Sequence, residues 1–494
     1  MAAPKGIWKV ITASSVGTLI EWYDFYIFGS LSTIIAAKFF PSENPTAALL
    51  STLATFAAGF IVRPFGALVF GRLGDLIGRK YTFLLTLVLM GMSTFLIGCI
   101  PSYATIGAAA PLLVLLLRLL QGLALGGEYG GAATYVAEHS PANKRGFYTS
   151  WIQTTATLGL FLSLGVILSI RRLVGVQEFT SGNGWRYPFL LSIVLVGVSI
   201  FIRLRMAESP LFAKLKSEGK TSVNPLKESF GHKTNFKMVL LALFGATMGQ
   251  GVIWYTGQFY AQTFLLTKCN IEYEQANTII LVALVIATPF FVIFGSLSDK
   301  WGRKNIMMVG MLLGVLLYRP IFQQLYNLSD PSKKEIATTN RGFKMEGDFG
   351  AFIQHASDTT TYTDGSTLKT TTKQSLIKGE KTTVKELTLG QGIKWQMILL
   401  VAAMVLFVTM VYGPIAAFLV ELFPTKIRYT SMSLPYHIGN GVFGGLVPFI
   451  ATLITTLKGS NPLSGLWYPI GVAALSFVIG SLYLSNKINK DVID

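Results

Sequence analysis

Long hydrophobic runs separated by short polar stretches dominate the pattern of this 494-residue chain. A helix that spans the hydrocarbon core of a bilayer needs about 20 predominantly apolar residues. By that measure the sequence predicts an all-α membrane protein with twelve transmembrane helices, some interrupted by glycine or proline, which helix bundles tolerate. Their predicted ranges are 10–36, 48–71, 81–100, 107–135, 146–170, 186–205, 237–265, 276–297, 305–325, 394–419, 430–456 and 465–485.

Two longer polar segments are not expected to enter the membrane. Residues 206–236 are polar and basic, as expected for a linker between two six-helix halves. Residues 326–392 are rich in Thr, Lys and Gly, and the alternation around Asp364-Gly365 predicts a β-hairpin with a type I′ turn. The predicted domains are a first half over 1–205, the linker over 206–236, and a second half over 237–494 that contains the insert 326–392.

The distribution of charge predicts the orientation of the helices. Twenty-two Lys and Arg residues lie in the termini and alternate loops, against six in the other short loops. Because basic loops face the cytoplasm, both termini are expected there and the insert on the outer side. The net charge of +17 is spread between hydrophobic runs and no basic soluble domain is available, so nucleic-acid binding is not expected. Two cysteines and four scattered histidines predict neither a disulfide framework nor a metal site.

An internal repeat relates the two halves. Residues 71–80 and 295–304 share the pattern G-x-L-x-D-x-x-G-R-K at an offset of 224 residues. The pattern E-x-x-P-x-x-x-R begins at Glu138 and again at Glu421, at an offset of 283. The offsets differ by 59 residues, close to the length of the insert. The halves are therefore predicted to be duplicates, with the insert added between the third and fourth helices of the second half.

The acidic and basic residues of these repeated loops are candidates for a charge network. An aspartate there can cap a helix N-terminus or pair with an arginine across the bundle. Such contacts would hold one end of the bundle together in one state and break in another, and the alternative is a plain loop charge cluster. The predicted gating or structural network comprises Asp75, Arg79, Glu138, Arg145, Asp299, Arg303, Glu421 and Arg428, together with Arg63 and Glu128, which are expected nearer the cytoplasmic end of the second and fourth helices.

The paired G-x-L-x-D-x-x-G-R-K loops resemble those of the major facilitator superfamily. Residues 21–25 (E-W-Y-D-F), 63–66 (R-P-F-G), 118–122 (R-L-L-Q-G), 126–132 (G-G-E-Y-G-G-A) and 421–425 (E-L-F-P-T) resemble its metabolite:proton symporter branch. That branch includes proline/betaine, α-ketoglutarate, citrate and shikimate permeases. The resemblance covers the chain except 326–392, and it implies two six-helix pseudo-repeats and proton-coupled uptake across a bacterial inner membrane.

Ionisable residues at membrane depth are costly and usually functional. Glu21 and Asp24 share one face of the first helix, and matching depth suggests that one of them pairs with Arg118 on the fourth. Burial and a nearby cation act in opposite directions on a carboxyl group, so helix motion could load and release a proton. The alternative is a static buried pair. Arg63 is predicted to pair with Glu128, as part of the structural or gating network.

Neutral polar and aromatic residues are candidates for binding a small polar ligand between the halves. Gln250, Trp254 and Gln258 follow an i, i+4, i+8 spacing and share one helix face. The alternative for each candidate is an interhelical hydrogen bond, and His437 is interpreted as a bundle histidine. The substrate-binding candidates are Tyr23, Gln153, Gln250, Trp254, Tyr255, Gln258, Arg319, Tyr412, Tyr436 and Asn440.

The expected function is secondary active transport, because the sequence contains neither a nucleotide-binding loop nor an H-E-x-x-H metal motif. No cofactor and no enzymatic activity are expected, and the energy source would be a proton gradient. The expected partners are a small organic anion or zwitterion, protons and membrane lipid, with the chain acting as a monomer. A passive uniporter and a solute sensor that transports nothing remain alternatives.

Overall fold

The computed structural model describes residues 7–40, 45–77, 79–127, 129–204, 227, 230–348, 351–375, 381–423, 428–457 and 459–486. These residues form twelve membrane-length helices, α1–α12, and one small β-sheet. Two six-helix halves are joined by the predicted linker, most of which lies outside the described residues. The last four linker residues, 233–236, already belong to α7.

Several of the twelve helices consist of consecutive segments. In the first half, α1 comprises Ile7–Ser30 and Ser32–Phe39, α2 comprises Pro45–Ile61 and Arg63–Ile77, α3 is Arg79–Cys99, α4 comprises Ala109–Gly126 and Tyr129–His139, α5 is Arg145–Val174 and α6 is Tyr187–Leu204. In the second half, α7 is Lys233–Thr267, α8 comprises Tyr273–Ala287 and Pro289–Trp301, α9 is Arg303–Ser329, α10 is Gln391–Leu422, α11 comprises Arg428–Tyr436, His437–Gly444 and Val447–Ile454, and α12 is Trp467–Tyr483.

Ten of the helices in the described part of the chain are long and apolar enough to cross a membrane by length and composition. The others are α3, whose apolar stretch is the shorter Leu84–Cys99, and α1, which contains Glu21 and Asp24. Every residue of α1 from 20 to 32 is buried in the bundle. A helix that faces protein on all sides does not need a lipid-compatible surface, so α1 can be polar and still lie at membrane depth.

The halves contact each other mainly through four helices. Helix α5 of the first half packs along both segments of α8 in the second half, and α2 of the first half packs against α11 of the second. We call the end of the bundle that carries residues 71–80 and 295–304 the motif-loop end, and the opposite end, which carries residues 330–390, the insert end. Any solute that crosses the bundle between the halves must travel along the boundary formed by α5 and α8 on one side and α2 and α11 on the other.

Glycines allow α2 and α4 to approach each other closely within the first half. A Cβ atom on Gly122 would lie 1.8 Å from the carbonyl oxygen of Gly59, and one on Gly66 would lie 2.0 Å from that of Leu123. Small residues at such contacts are typical of membrane helix pairs. The backbones therefore touch, which makes the first half a tightly packed unit.

Replacing Gly122 by valine is expected to destabilise the first half, since the new side chain would overlap the α2 backbone. Overpacking of this kind costs about 1–3 kcal/mol or more. Thermal unfolding in detergent should show a lower midpoint for Gly122→Val. Gly197→Val provides the control, because a Cβ atom on Gly197 meets nothing within 4 Å. Equal midpoints for the two variants would contradict the prediction.

The insert is a four-stranded antiparallel sheet between α9 and α10. Its strands are β1 (Ile336–Asp348), β2 (Ala351–Tyr362), β3 (Thr367–Ser375) and β4 (Lys381–Thr388), in the order β1-β2-β3-β4. The insert is shorter than predicted, because α9 continues to Ser329 and α10 begins at Gln391.

The predicted hairpin around Asp364-Gly365 is present between β2 and β3, but the predicted type I′ turn is wrong. The amide of Gly365 donates to the carbonyl of Tyr362, and that of Tyr362 donates to the carbonyl of Ser366. Gly365 has a positive φ of 79°, whereas Asp364 does not. A type I′ turn needs positive φ at both central residues. The loop is therefore a three-residue connection that ends on a left-handed glycine.

Helices α7 and α11 contain π-helical turns. They cover Leu243–Thr247 and Thr256–Tyr260 in α7, and His437–Gly444 in α11. Such turns are rare and occur frequently at functional sites. Both helices line the middle of the bundle, where they carry most of the predicted polar residues of the second half.

Candidate functional site

A buried charge network joins the halves at the motif-loop end. Asp299 of α8 accepts hydrogen bonds from the amides of Gly146 (2.8 Å) and Phe147 (2.9 Å), at the start of α5. Arg303 Nη1 lies 2.5 Å from Asp299 Oδ1, and Arg303 also donates to both carboxylate oxygens of Glu421, at 3.1 and 2.9 Å. The helix cap predicted for the motif aspartate is therefore present, whereas its arginine partner is Arg303, four residues further along the same motif, and not an arginine across the bundle.

The network reaches the first half through a second arginine as well. Arg145 Nη1 lies 3.3 Å from Glu421 Oε1. Beside it the backbones of α5 and α8 touch, because a Cβ atom on Gly146 would lie 2.4 Å from the carbonyl oxygen of Gly295. Opening a path at this end would require these contacts to break.

The internal repeat predicts a second network, formed by the first-half counterparts of Asp299, Arg303 and Glu421 together with Arg428. Asp75 lies in α2, Glu138 lies in α4, and Arg79 and Arg428 begin α3 and α11. The side chains of these four residues, and all of Glu128, lie outside the part of the chain that the structure describes. The predicted Arg63–Glu128 pair therefore stays a prediction.

Replacing Glu421 by glutamine is expected to loosen the motif-loop end, because Arg303 and Arg145 would lose their shared carboxylate. Removing one partner of a buried ion pair costs about 3–5 kcal/mol. A cysteine introduced at buried Ser150 of α5 should then react with a water-soluble maleimide about tenfold faster or more. Glu178→Gln, which changes an exposed carboxylate at the insert end, should leave that rate unchanged. An unchanged rate in Glu421→Gln would refute the gating role.

Arg63 of α2 occupies the middle of the bundle. Its side chain is 1% exposed, and its guanidinium carbon lies 4.4 Å from the ring centre of Phe25, 4.1 Å from that of Phe60 and 5.5 Å from that of Trp22. Its Nε and Nη2 atoms have no hydrogen-bond partner among the described residues. An arginine held by aromatic faces, with two free donors, is suited to binding an anionic group.

The second half presents polar groups towards Arg63. A Cβ atom on Gly441 of α11 would lie 3.6 Å from Arg63 Cδ, and Arg63 interacts electrostatically with Tyr255 and His437. Within the described residues, hydrogen-bond partners are also missing for polar atoms of a surrounding set of buried side chains. These are both amide atoms of Gln250, Trp254 Nε1, the Tyr255 hydroxyl, Gln258 Oε1, both ring nitrogens of His437, and Asn440 Oδ1.

The remaining central candidates make contacts that link neighbouring helices. The hydroxyl groups of Tyr412 and Tyr436 lie 2.8 Å apart, joining α10 to α11. Gln258 Nε2 donates to Thr157 of α5 at 3.4 Å, across the two halves. Gln153, also on α5, is 1% exposed. The structure therefore brings Tyr412, Tyr436 and Gln258 to the central region that holds Arg63 and Trp254.

The predicted pairing of Arg118 with Asp24 or Glu21 is wrong. Arg118 donates to Gln121 Oε1 at 2.7 Å, and its guanidinium carbon lies 4.3 Å from the ring centre of Phe25 and 4.9 Å from that of Phe56. Matching depth along two helices does not determine the direction in which each side chain points. Arg118 points into an aromatic pocket of its own half.

Asp24 is buried at membrane depth without an ion pair in the described part of the chain. It is 1% exposed, its Oδ1 atom has no hydrogen-bond partner among the described residues, and Ser192 of α6 lies beside it. Glu21, one turn earlier, is 3% exposed. Two carboxyl groups are thus held inside the first half, away from water and away from Arg118.

Two predicted substrate-binding residues point away from the central region. The Tyr23 hydroxyl donates to the carbonyl of Pro188 at 2.8 Å, so it fastens α1 to α6 within the first half. Arg319 is exposed on the outer surface of α9, with its guanidinium 4.7 Å from the ring centre of Trp467. The inward face of α9 carries Tyr318, which is fully buried. The prediction that Tyr23 and Arg319 line the central region is therefore wrong.

Trp22 and Tyr26 of α1 were not predicted as site residues. Their rings stack at 4.9 Å and 19°, and the Tyr26 ring stacks on that of Trp254 across the halves at 5.5 Å and 27°. Their i, i+4 spacing places them on one face of α1, which is a signal that the sequence does contain. This stack closes the gap between the halves next to Arg63.

Comparison with known proteins agrees with this architecture. A family model described as "Sugar (and other) transporter" matches residues 9–224. The chain is 32% identical to the inner membrane metabolite transport protein YhjE of Escherichia coli over 91% of this chain and 88% of that protein. It is 30% identical to the α-ketoglutarate permease of E. coli over 98% and 94%, and 36% identical to the proline/betaine transporter of Salmonella typhimurium over 64% of each chain.

Solved structures share the fold at low identity. The proton:xylose symporter XylE superposes with a TM-score of 0.66 at 17% identity, over 98% of both chains. Its partially occluded inward-open form, from E. coli, superposes with a TM-score of 0.62, also at 17% identity and over 98% of both chains. Likeness at this identity speaks for the fold alone, while the relatives at 30% identity or more are transporters and not enzymes. The chain belongs to the metabolite transporter branch of the major facilitator superfamily.

Proposed function

We propose that this protein is a proton-coupled symporter that carries a small organic anion or zwitterion by alternating access. The observation that carries the proposal is Arg63, which is buried between the halves and whose Nε and Nη2 atoms have no hydrogen-bond partner among the described residues. A charge at membrane depth is costly to bury, and such residues usually take part in function. A carboxylate on the substrate would supply that partner.

The surroundings of Arg63 suit a small polar solute. Neutral groups on α7 and α11, including Gln250, Tyr255, His437 and Asn440, offer further donors and acceptors to the rest of the molecule. The Trp22–Tyr26–Trp254 stack would have to separate to admit it. The solutes named for the relatives α-ketoglutarate permease and proline/betaine transporter all carry a carboxylate, which supports the same substrate class.

Asp24 is the proposed proton carrier, with Glu21 as a second candidate. Asp24 is a buried carboxyl group without an ion pair among the described residues, so a change in its protonation is not fixed by a neighbouring cation. XylE, which shares the fold, is a proton:xylose symporter, and the same use of a proton gradient is proposed for this chain. In this scheme the halves rock about the central site, and the ends open in turn.

The proposed setting is a bacterial inner membrane with both termini in the cytoplasm, which makes the motif-loop end cytoplasmic and the insert end extracytoplasmic. The bias of Lys and Arg towards alternate loops supports this orientation. A cysteine placed in the insert would react with an impermeant maleimide in intact cells if the orientation is right. Labelling that occurs only after the cells are broken would show that the insert faces the cytoplasm, which is the opposite orientation.

Uptake by proteoliposomes with and without an inward proton gradient tests the proposal. We expect accumulation of at least one member of a labelled panel of α-ketoglutarate, citrate, proline and glycine betaine, and we expect a protonophore to abolish it. Flux that is indifferent to the gradient would indicate a uniporter. Binding measured by thermal shift without any flux would indicate a sensor.

A further inference from the structure

Residues 270–275, which are the end of the loop between α7 and α8 together with the first residues of α8, touch both the first half and the β-sheet. We call this segment the 270–275 connection. On one side it reaches α5 and α1, and on the other it reaches β4 and the start of α10. It is the place where the insert, which belongs to the second half, lies next to the boundary between the halves.

Contacts with the first half close the insert end at this point. Arg171 Nη1 of α5 lies 3.3 Å from Glu272 Oε1, and the Arg171 guanidinium lies 4.9 Å from the ring centre of Tyr273. The Tyr273 hydroxyl donates to the carbonyl of Ser30 in α1 at 3.2 Å. Arg171 is 5% exposed, so this ion pair is largely shielded from solvent. These contacts must break if the halves separate at the insert end.

The last strand of the sheet holds the same connection from the other side. The Glu272 amide donates to the carbonyl of Leu387 at 2.9 Å, and the Leu387 amide donates to the carbonyl of Asn270 at 2.7 Å. The Leu389 amide donates to Gln275 Oε1 at 2.7 Å, and Gln275 Nε2 returns a bond to the Leu389 carbonyl at 3.4 Å. Ile271 thus forms an isolated β-bridge with Leu387 of β4, beside the four-stranded sheet.

The base of the sheet is itself fixed to the bundle. Lys334, just after α9, forms an ion pair with Asp364 and donates to Ser366 Oγ at 3.1 Å. The Gly390 amide, at the start of α10, donates to the same Ser366 oxygen at 3.2 Å. A Cβ atom on Gly390 would lie 2.1 Å from the Asp364 carbonyl oxygen, so turn and helix are in direct contact. The sheet therefore cannot shift independently of α9 and α10.

Glu272 is consequently constrained from three directions. Its carboxylate caps α8 by accepting from the amides of Glu274 and Gln275, both at 2.8 Å, while its backbone is bonded to β4 and its Oε1 faces Arg171. We propose that the sheet positions Glu272 and Tyr273 for their contacts with Arg171 and Ser30, so that the insert stabilises the closed form of the insert end. The inference rests on the proposed alternating-access function.

The distance between the halves at the insert end provides the test. Spin labels at Val176→Cys in the first half and Leu457→Cys in the second, in a Cys99→Ser background, would be measured by pulsed electron resonance in nanodiscs without substrate. Both positions are exposed and outside the contacts described above. This readout needs neither substrate nor gradient, so failure of the transport proposal would appear in uptake assays and not here.

Gln275→Ala, which removes both bonds to Leu389, is expected to raise the ratio of separated to closed molecules about fivefold or more. Ile271→Ala, which trims a buried contact with Leu387, should act in the same direction and serves if Gln275→Ala fails to fold. Arg341→Ala is the control, since it removes an exposed ion pair with Asp358 on the sheet itself and should leave the ratio unchanged.

A double variant separates positioning from general loosening. If the sheet acts through Glu272, then Gln275→Ala should change the ratio by less than about twofold once Glu272→Gln has removed the ion pair. Independent, additive effects of the two substitutions would overturn the proposal. So would an unchanged distance distribution in folded Gln275→Ala, or an equal shift in Arg341→Ala.

Discussion

Replacing Arg63 by glutamine is expected to reduce uptake of the proposed carboxylate substrate by two to three orders of magnitude. Loss of one partner from a buried, hydrogen-bonded charge pair costs about 2–5 kcal/mol, and each 1.4 kcal/mol corresponds to about a factor of ten. Arg63→Lys keeps the charge but loses the planar fork of donors, so its uptake rate should lie between those of the wild type and of Arg63→Gln. Initial uptake rates and the substrate-induced thermal shift of the purified protein measure the effect.

Arg319→Gln is the matched control for that experiment. It removes an arginine from the same bundle, but from the outer surface of α9, where Arg319 packs on Trp467. Its uptake should stay within about twofold of the wild type, because changes at such surface positions have small effects. Normal uptake by Arg63→Gln, or equal loss in both variants, would rule out Arg63 as the substrate-binding cation.

Replacing Asp24 by asparagine is expected to abolish concentrative uptake while leaving exchange of substrate across the membrane partly intact. Asparagine has nearly the same shape as aspartate but cannot gain or lose a proton. A carrier with this change would still bind and reorient, yet it could no longer draw on the proton gradient. Accumulation against a gradient and counterflow of preloaded substrate are the two measurements, made on the same proteoliposomes.

Glu178→Gln and Glu21→Gln give the comparison needed to interpret that result. Glu178 is exposed, so its neutralisation should change neither measurement. If Glu21→Gln alone loses accumulation while Asp24→Asn retains it, the proton carrier is Glu21. Unaltered accumulation in both variants would remove the first-helix carboxyl groups from the coupling mechanism.

The sequence allowed the helices to be predicted well, for a simple physical reason. A membrane requires about 20 apolar residues for each span, and that requirement is visible in a single chain without any tertiary information. The repeat of residues 71–80 at 295–304 added the division into halves. The capping of a helix by Asp299 could also be predicted, because that contact lies at the ends of neighbouring helices. Its arginine partner was expected across the bundle and is instead the local Arg303.

Directions of side chains around each helix were much harder to predict. Arg118, Tyr23 and Arg319 were placed at suitable depths, but all three point away from the predicted partner or cavity. A rotation of about 100° per residue means that an error of one position moves a side chain to another face. Arg63, by contrast, points into the central region. Its neighbours could not be predicted, because they lie on α1 and α11, which are distant from Arg63 in sequence.

The polar sheet of the insert bears on the order in which the chain folds. Its four strands form a simple meander with close partners in sequence, and such local pairing is fast. The bonds from Leu387 to Asn270 and Glu272, by contrast, close a long loop that contains all of α8 and α9. In the proposed orientation, they can form only after both helices are inserted and the whole insert has crossed the bilayer. Docking of the sheet is therefore a late step in biogenesis, and protection of the 270–275 connection from proteolysis would mark its completion.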